Sequence, residues 1–162
     1  MILTKHVVLV VKTIPLGLSR SDRPNRRQDA RLDGSQVLLR PRAVGICCAD
    51  EVEQPGEDEV RSLRRNIASG GGAVLARTVV DRIPVGAGEF TAIVNGVTEV
   101  TSIGVRPAYR RRGIAAAMTG WLARAARASN GTYLFLMANE PEERIYARVG
   151  FMTKGTVLHI SR

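Results

Sequence analysis

The chain has 162 residues, of which 44% are hydrophobic and 24% charged, with a formal net charge of +9. This size and composition fit one globular domain and are too small for two full ones. No apolar run approaches the roughly 20 residues of a membrane span, and the only cysteines, Cys47 and Cys48, are neighbours that seldom bridge each other. We therefore expect a cytoplasmic protein in a reducing compartment, without signal peptide or zinc site.

The first 48 residues hold most of the positive charge, with nine Lys/Arg against three Asp. HVVLVVK (6–12) and QVLLR (36–40) are typical of strands, whereas residues 19–35 have almost no apolar side chain and predict a flexible, solvated loop. The basic charge is either a solvated tail or a surface for an acidic partner or nucleic acid. We divide the chain into an atypical, partly flexible basic segment, 1–48, and a folded domain, 49–162.

A regular pattern begins after residue 50. EDEVRSLRRNIASGGG opens with three acids, carries one apolar stripe and ends in three glycines, which predicts a helix. AVLARTVV (73–80), VGAGEFTAIV (85–94) and VTEVTSIGV (97–105) predict three antiparallel strands. The last two are joined by Asn95-Gly96, a strong hairpin signal. The third strand ends near Val105, because Pro107 has no N–H for a ladder.

The second half of the domain alternates helix and strand. Residues 113–128 predict a helix with Met118, Leu122 and Ala126 on its buried side, and TYLFLMA (132–138) predicts a central strand. PEERIYARVGF (141–151) predicts a helix that ends at Gly150. FMTKGTVLHIS (151–161) predicts a final strand or a hairpin.

A strand, a short basic loop with a glycine and a helix follow one another around Arg110-Arg111-Arg112-Gly113. The first N–H groups of a helix have no intrahelical acceptor and lie at the positive end of its dipole, so several of them can hold one anion. Arginines add forked donors, and a glycine leaves the backbone accessible. The loop is therefore a phosphate site or a solvated basic turn. It is neither a P-loop, which needs Gly-Lys-Ser/Thr, nor a Rossmann fingerprint.

Two motifs carry a resemblance to the GCN5-related N-acetyltransferases (GNAT). Residues 110–115, RRRGIA, resemble the family's acetyl-coenzyme A (acetyl-CoA) motif Arg/Gln-x-x-Gly-x-Gly/Ala, between a strand and a helix. Residues 139–151, N-x-x-x-x-x-I-Y-A-R-V-G-F, resemble its Asn...Leu-Tyr-x-x-x-Gly-Phe element. The resemblance covers about residues 57–158. It implies an α+β fold with a mixed, mostly antiparallel central sheet whose central strands splay apart, flanked by helices.

The resemblance also implies the cofactor, acetyl-CoA, and the residues that bind it. Strand residues would pair with the pantetheine arm as another strand does, and loop and helix amides would hold the pyrophosphate. Asn139 would bond to the cofactor arm or cap the following helix, and the two roles are compatible. The implied residues are Ile103, Gly104, Val105, Arg110, Arg111, Arg112, Gly113, Ile114, Ala115, Ala116 and Asn139.

Two residues are implied to be catalytic. Tyr146 would be the general acid that protonates the departing thiolate, with a core-edge residue of an amphipathic helix as the alternative. Glu99, six residues before Val105, stands where histone-type members carry a glutamate base. It would remove the proton of an acceptor amine, because only a neutral amine is a nucleophile. A polar partner or a substrate anchor is the alternative for Glu99.

These roles imply an N-acetyltransferase in which acetyl-CoA and an amine bind together and the amine attacks the thioester directly, with backbone N–H groups polarising the carbonyl. The matched region contains no cysteine for an acyl-enzyme, and the chemistry needs no metal. The acceptor would be a small-molecule amine or a peptide amine, a membrane is not expected, and a homodimer is left open. The alternatives are a non-catalytic CoA- or acyl-CoA-binding domain and, least favoured, a basic nucleic-acid-binding protein.

The N-terminal segment departs from the family pattern. Members normally begin with a strand and one or two helices that form much of the acceptor pocket, and no such first helix can be recognised in residues 1–48. The resemblance therefore leaves three alternatives for the acceptor pocket: an unusual replacement, completion by a partner subunit, or a defective site.

Overall fold

The computed structural model describes residues 2–12, 30–33 and 56–161. Within these ranges the chain forms seven strands and three α-helices. The strands are β1 (Ile2–Lys12), β2 (Ala30–Asp33), β3 (Gly72–Thr78), β4 (Pro84–Phe90), β5 (Val97–Val105), β6 (Tyr133–Ala138) and β7 (Met152–Ser161). The helices are α1 (Glu57–Ala68), α2 (Ile114–Ala128) and α3 (Glu143–Ala147). Among the helices of the described residues, none has the length and apolar character to cross a membrane.

The strands form one sheet in the order β2-β3-β4-β5-β6-β1-β7. All neighbouring pairs are antiparallel except β5 and β6, which run parallel. This arrangement confirms the predicted mixed, mostly antiparallel sheet.

The N-terminal segment supplies two strands of this sheet. HVVLVVK lies in β1, which begins at Ile2 and pairs with both β6 and β7. The loop predicted for residues 19–35 is wrong for residues 30–33, which form β2 and pair with β3. The four residues, Ala-Arg-Leu-Asp, alternate apolar and polar side chains, and main-chain pairing with β3 makes this short run a strand. The rest of that loop and QVLLR (36–40) lie outside the described residues.

The predicted hairpin between β4 and β5 is confirmed. Val94 and Val97 exchange backbone hydrogen bonds of 3.0 and 2.9 Å. Asn95 and Gly96 have φ angles of 52° and 77°, as a type I′ turn requires. The predicted strands extend too far, because β3 ends at Thr78 and β4 at Phe90. The C-terminal segment is the strand alternative, β7, rather than a hairpin.

The core lies between the sheet and α2. The helix buries Ile114, Met118, Leu122 and Ala126, four residues apart along one stripe, which confirms its predicted buried side. The same cluster includes Leu9 of β1, whose side chain is fully buried. β1 is therefore part of the core and not an appended tail.

We predict that Leu9→Ala lowers the free energy of unfolding by about 2–5 kcal/mol, because it leaves a cavity in a packed core. Urea denaturation monitored by circular dichroism measures this change. Val80→Ala is the control, since Val80 is 88% exposed and its truncation should stay within about 0.5 kcal/mol. Equal stability of the two variants would contradict the placement of β1.

Candidate active site

A gap opens between the parallel strands β5 and β6. Their pairing covers Val97 with Tyr133, Thr98 with Leu134 and Glu99 with Phe135. Beyond Glu99 and Phe135 the two strands are no longer paired, although both continue in the same direction, β5 to Val105 and β6 to Ala138. The backbone of β5 beyond Glu99 therefore has a free side in the described part of the chain, and the splayed central strands are confirmed.

A β-bulge in β5 accounts for the splay. Glu89 pairs with Thr101 and Ala87 pairs with Gly104, so two residues of β5 face one residue of β4. One of the two, Ser102, has a φ of 56°. Such a bulge bends its strand and increases the local twist. The left-handed conformation costs about 1–3 kcal/mol in a residue other than glycine.

A polar network holds the bulge against α1. The Ser102 hydroxyl donates to Glu89 Oε1 at 3.3 Å, and Asn66 Nδ2 donates to Glu89 Oε2 at 2.9 Å. Asn66 also donates to the Phe90 carbonyl at 3.0 Å. The sequence does not predict a role for Asn66, Glu89 and Ser102, because a bulge at a serine has no local sequence signal.

The predicted strand residues Ile103, Gly104 and Val105 follow the bulge and border the gap. Gly104 is buried and pairs with Ala87 of β4. The carbonyl of Val105 accepts a hydrogen bond from Arg110 Nε at 3.1 Å. The strand is thus linked directly to the basic loop.

The basic loop bends sharply before α2. A 3-10 turn, Pro107–Tyr109, precedes Arg110, and then Arg111 and Gly113 have left-handed φ angles of 63° and 79°. The amide of Ala117 donates to the Gly113 carbonyl at 3.0 Å. The N–H groups of the predicted residues Ile114, Ala115 and Ala116 come before this bond, so they have no intrahelical acceptor.

The side chains of Arg110, Arg111 and Arg112 are all exposed at this helix start. The guanidinium of Arg112 donates to the Ala108 carbonyl at 3.2 Å and lies 5.3 Å from the centre of the Tyr109 ring. These contacts orient Arg112 on the surface of the loop. Positive charge and helix-terminal amides therefore coincide at the end of the gap, which suits a bound polyanion.

Asn139 and Tyr146 follow β6. Asn139 is exposed, begins a 3-10 turn (Glu140–Glu142), and donates its backbone N–H to Glu142 Oε2 at 3.2 Å. The predicted helix is shorter than expected, since only Glu143–Ala147 is α-helical. Gly150 has the left-handed φ, 95°, expected of its C-cap position.

Tyr146 is 7% exposed and packs edge-on against Phe151, with ring centres 6.5 Å apart. Burial, and secondarily the carboxylate of Glu142, raise the pKa of Tyr146 to about 12. The phenol is therefore fully protonated at neutral pH and can donate a hydrogen bond to a developing anion.

Glu99 is half-buried in the last residue pair before the gap. Its neighbours Thr98 and Val100 are buried in the core below the sheet, so alternation directs the Glu99 side chain to the opposite face. Burial raises the pKa of Glu99. Because Tyr146 belongs to the core cluster, the acid and base candidates flank the sheet from its two faces.

Residues 42–151, about two thirds of the chain, match the family described as "Acetyltransferase (GNAT) family". A comparison with curated proteins gives no match. Among solved structures, a GCN5-related N-acetyltransferase from Kribbella flavida is 24% identical with a TM-score of 0.58, covering 95% of this chain and 57% of that one.

Two further structures have the same fold. A GCN5-related N-acetyltransferase from Sphaerobacter thermophilus is 20% identical, with a TM-score of 0.67, over 96% of this chain and 50% of that one. A Mycobacterium tuberculosis protein solved in complex with CoA is 20% identical, with a TM-score of 0.53, over 69% of this chain and 63% of that one. The chain thus spans little more than half the length of the first two structures.

Proposed function

Because the chain belongs to the acetyltransferase (GNAT) family, we propose that it is an acetyl-CoA-dependent N-acetyltransferase that acts by direct attack of an amine in a ternary complex. The observation that carries the proposal is the gap between β5 and β6, which leads to the basic loop at the start of α2. A free strand edge and a helix N-terminus are the two elements that a pantetheine arm joined to a pyrophosphate needs.

The cofactor would lie along the gap. Ile103, Gly104 and Val105 would offer backbone groups to the pantetheine amides. The pyrophosphate would bind the backbone N–H groups of residues 113–116, with Arg110, Arg111 and Arg112 neutralising its charge. Asn139 would reach the cofactor arm from the end of β6, while its backbone N–H stays with Glu142.

Tyr146 would stabilise the leaving thiolate. A phenol whose pKa is raised to about 12 holds its proton more tightly than a thiol of pKa about 8.5 does. Complete proton transfer to the thiolate is therefore uphill, and the phenol acts mainly as a hydrogen-bond donor while the carbon–sulfur bond breaks. After the carbon–sulfur bond breaks, the thiolate can take up the second proton of the attacking amine through water, so that the products are the amide and the free thiol.

Glu99 would accept the proton of the acceptor ammonium. A raised pKa makes a carboxylate a stronger base than an exposed glutamate. Glu99 lies where the gap begins, and Tyr146 lies on the other face of the sheet. This arrangement would let an amine approach the thioester from the face of Glu99. A homodimer and a cytoplasmic location stay predictions.

We predict that wild-type protein binds acetyl-CoA with micromolar affinity in isothermal titration and that replacing Arg110 and Arg112 by alanine weakens binding at least about tenfold. Both side chains are exposed, so the free energy of unfolding should change by less than about 1 kcal/mol. Arg61→Ala/Arg64→Ala, a double substitution on exposed positions of α1, is the control. Absence of wild-type binding up to millimolar acetyl-CoA, or a large loss of stability in the Arg110/Arg112 variant, would contradict the proposed site.

We predict that Tyr146→Phe lowers kcat by about 10²–10³-fold, the effect of losing one hydrogen-bond donor to a developing anion, without changing the dissociation constant of acetyl-CoA. Thiol release measured between pH 6 and 10 checks this. Since the pKa of Tyr146 is raised to about 12, the wild-type phenol stays protonated across this range and should cause no alkaline decline. An unchanged kcat in the variant would favour the non-catalytic CoA-binding alternative or a structural tyrosine.

We predict that Glu99→Gln lowers kcat/KM by about 10²-fold or more and removes an ionisation from its pH profile. The wild-type rate should rise with pH through the pKa of Glu99, because the base must be deprotonated and burial places that pKa above 4.5. Glu57→Gln, at an exposed position in the first turn of α1, should keep the wild-type profile. Identical profiles for the wild type and Glu99→Gln would leave Glu99 only a structural role.

A further inference from the structure

Two arginines of the sheet have buried guanidinium nitrogens without a hydrogen-bond acceptor. These are the Nε atoms of Arg77 in β3 and of Arg106 directly after β5. Among the described residues, no other buried side-chain nitrogen or oxygen lacks a hydrogen-bond partner. Most buried donors in native proteins are paired, so two exceptions in one region need an explanation.

The two arginines lie on the same face and at the same end of the sheet. A side chain at Gly86 would collide with α2, so this position faces the helix. Its partners Ala76 and Val105 therefore face α2 as well. An extra residue of β4, Val85, lies between the pairs Ala76–Gly86 and Arg77–Pro84. β3 itself has no extra residue there, so alternation directs Arg77 to the opposite face, and alternation continued one residue past β5 directs Arg106 to that face as well.

One strand separates them. Arg77 pairs with Pro84 of β4, and the Arg106 N–H donates to the carbonyl of Val85, the next residue of β4, at 2.9 Å. Two strand spacings place their backbones about 10 Å apart. Two side chains of this length can converge on one ligand above β4.

The missing partner has a defined chemistry. An arginine fork matches a carboxylate or a phosphate, to which it donates two parallel hydrogen bonds. In the described residues, neither arginine forms an ion pair with an acidic side chain. An external oxyanion could accept hydrogen bonds from both orphaned donors. A carboxylate would offset one of the two positive charges, and a doubly charged phosphate would offset both.

We propose that Arg77 and Arg106 bind a carboxylate or phosphate group of the acceptor molecule. The face opposite α2 is also the face of Glu99, and Arg106 directly precedes the loop at the end of the gap. Assignment of the oxyanion to the acceptor rests on the proposed function, whereas the oxyanion site itself does not. Arg106 follows Glu99 by seven residues, about 20 Å along the strand. The acceptor would then be an extended molecule, such as a peptide, whose acidic group lies far from its amine.

The first test is the stability of the protein without ligands. Arg77→Met and Arg106→Met keep an aliphatic stem but remove the orphaned donor. We expect each variant to raise Tm by about 2–4 °C, whereas Arg64→Met, at an exposed position of α1, should leave Tm unchanged. A lower Tm for both sheet variants would overturn the proposal, because it would show that the arginines stabilise the fold.

The second test is binding of inorganic phosphate and of succinate to the cofactor-free protein. We expect both probes to raise the Tm of the wild type and of Arg64→Met. Their affinity should fall about tenfold or more in Arg77→Met and Arg106→Met. Because an anion can also bind at the start of α2, the four proteins are compared again with Arg110 and Arg112 replaced by alanine. Equal Tm shifts in all four proteins in that second comparison would overturn the oxyanion site. A phosphate effect that depends on both arginines, in a protein that does not bind acetyl-CoA, would keep the site and refute the proposed function.

The third test identifies the source of the oxyanion. Thiol release is measured with peptides of about four residues that end in a carboxylate and with their C-terminal amides, because a peptide can extend from Glu99 toward Arg106. We expect the acids to be preferred at least about tenfold by wild type but not by Arg77→Met or Arg106→Met. CoA and dephospho-CoA, which lacks the 3′-phosphate, are titrated in parallel. If the two variants instead lose the ability to distinguish these cofactors, the oxyanion is a phosphate of the cofactor, and the assignment to the acceptor is overturned.

Discussion

The separation of β5 from β6 is the constraint on which the rest of the site depends. Two parallel strands that share one core would normally stay paired, but here their pairing ends at Glu99 and Phe135. The bulge at Ser102 bends β5 away, and its left-handed backbone is held by a hydrogen bond to Glu89. Local strain is thus balanced by a network that reaches α1 through Asn66. As a result, the side of β5 that faces β6 is unpaired beyond Glu99, although both strands belong to the middle of the sheet.

Charged residues lie at both ends of the gap between β5 and β6, with Glu99 at one end and the arginines before α2 at the other. The net charge of +9 suggests a generally basic surface, but the chemistry depends on where individual groups lie. Three exposed arginines surround the start of α2, where unpaired amides already favour an anion. On the opposite face, Glu99 is partly withdrawn from water, which raises its pKa. The groups proposed to bind an anion and to accept a proton therefore lie apart within one small domain and do not neutralise each other.

The first strand connects the two ends of the chain. β1 lies between β6 and β7, so residues from the N-terminus and the C-terminus support the same part of the core. Leu9 packs in the cluster that also contains Tyr146 and Phe151. Placement of the Tyr146 ring consequently depends on a strand more than 130 residues away in sequence. A catalytic role for this tyrosine would link activity to the integrity of the N-terminal strand.

Local sequence determined the element types, the hairpin and the basic loop. Asn95-Gly96 strongly favours a type I′ turn, and the apolar spacing of α2 sets its buried side. The motif around Gly113 was recognisable because its glycine and arginines are consecutive. Strand ends were less accurate: both β3 and β4 stop before their apolar runs end.

Only the tertiary structure decided the position of β1, the short strand β2, the bulge at Ser102 and the orphaned nitrogens of Arg77 and Arg106. The physical reason is common to all four. Strand pairing and the burial of a polar group depend on residues that are distant in sequence, and no local pattern encodes which strand will lie beside another. Sequence alone thus determined that a basic, glycine-containing loop precedes a helix, while long-range pairing decided which groups surround that loop.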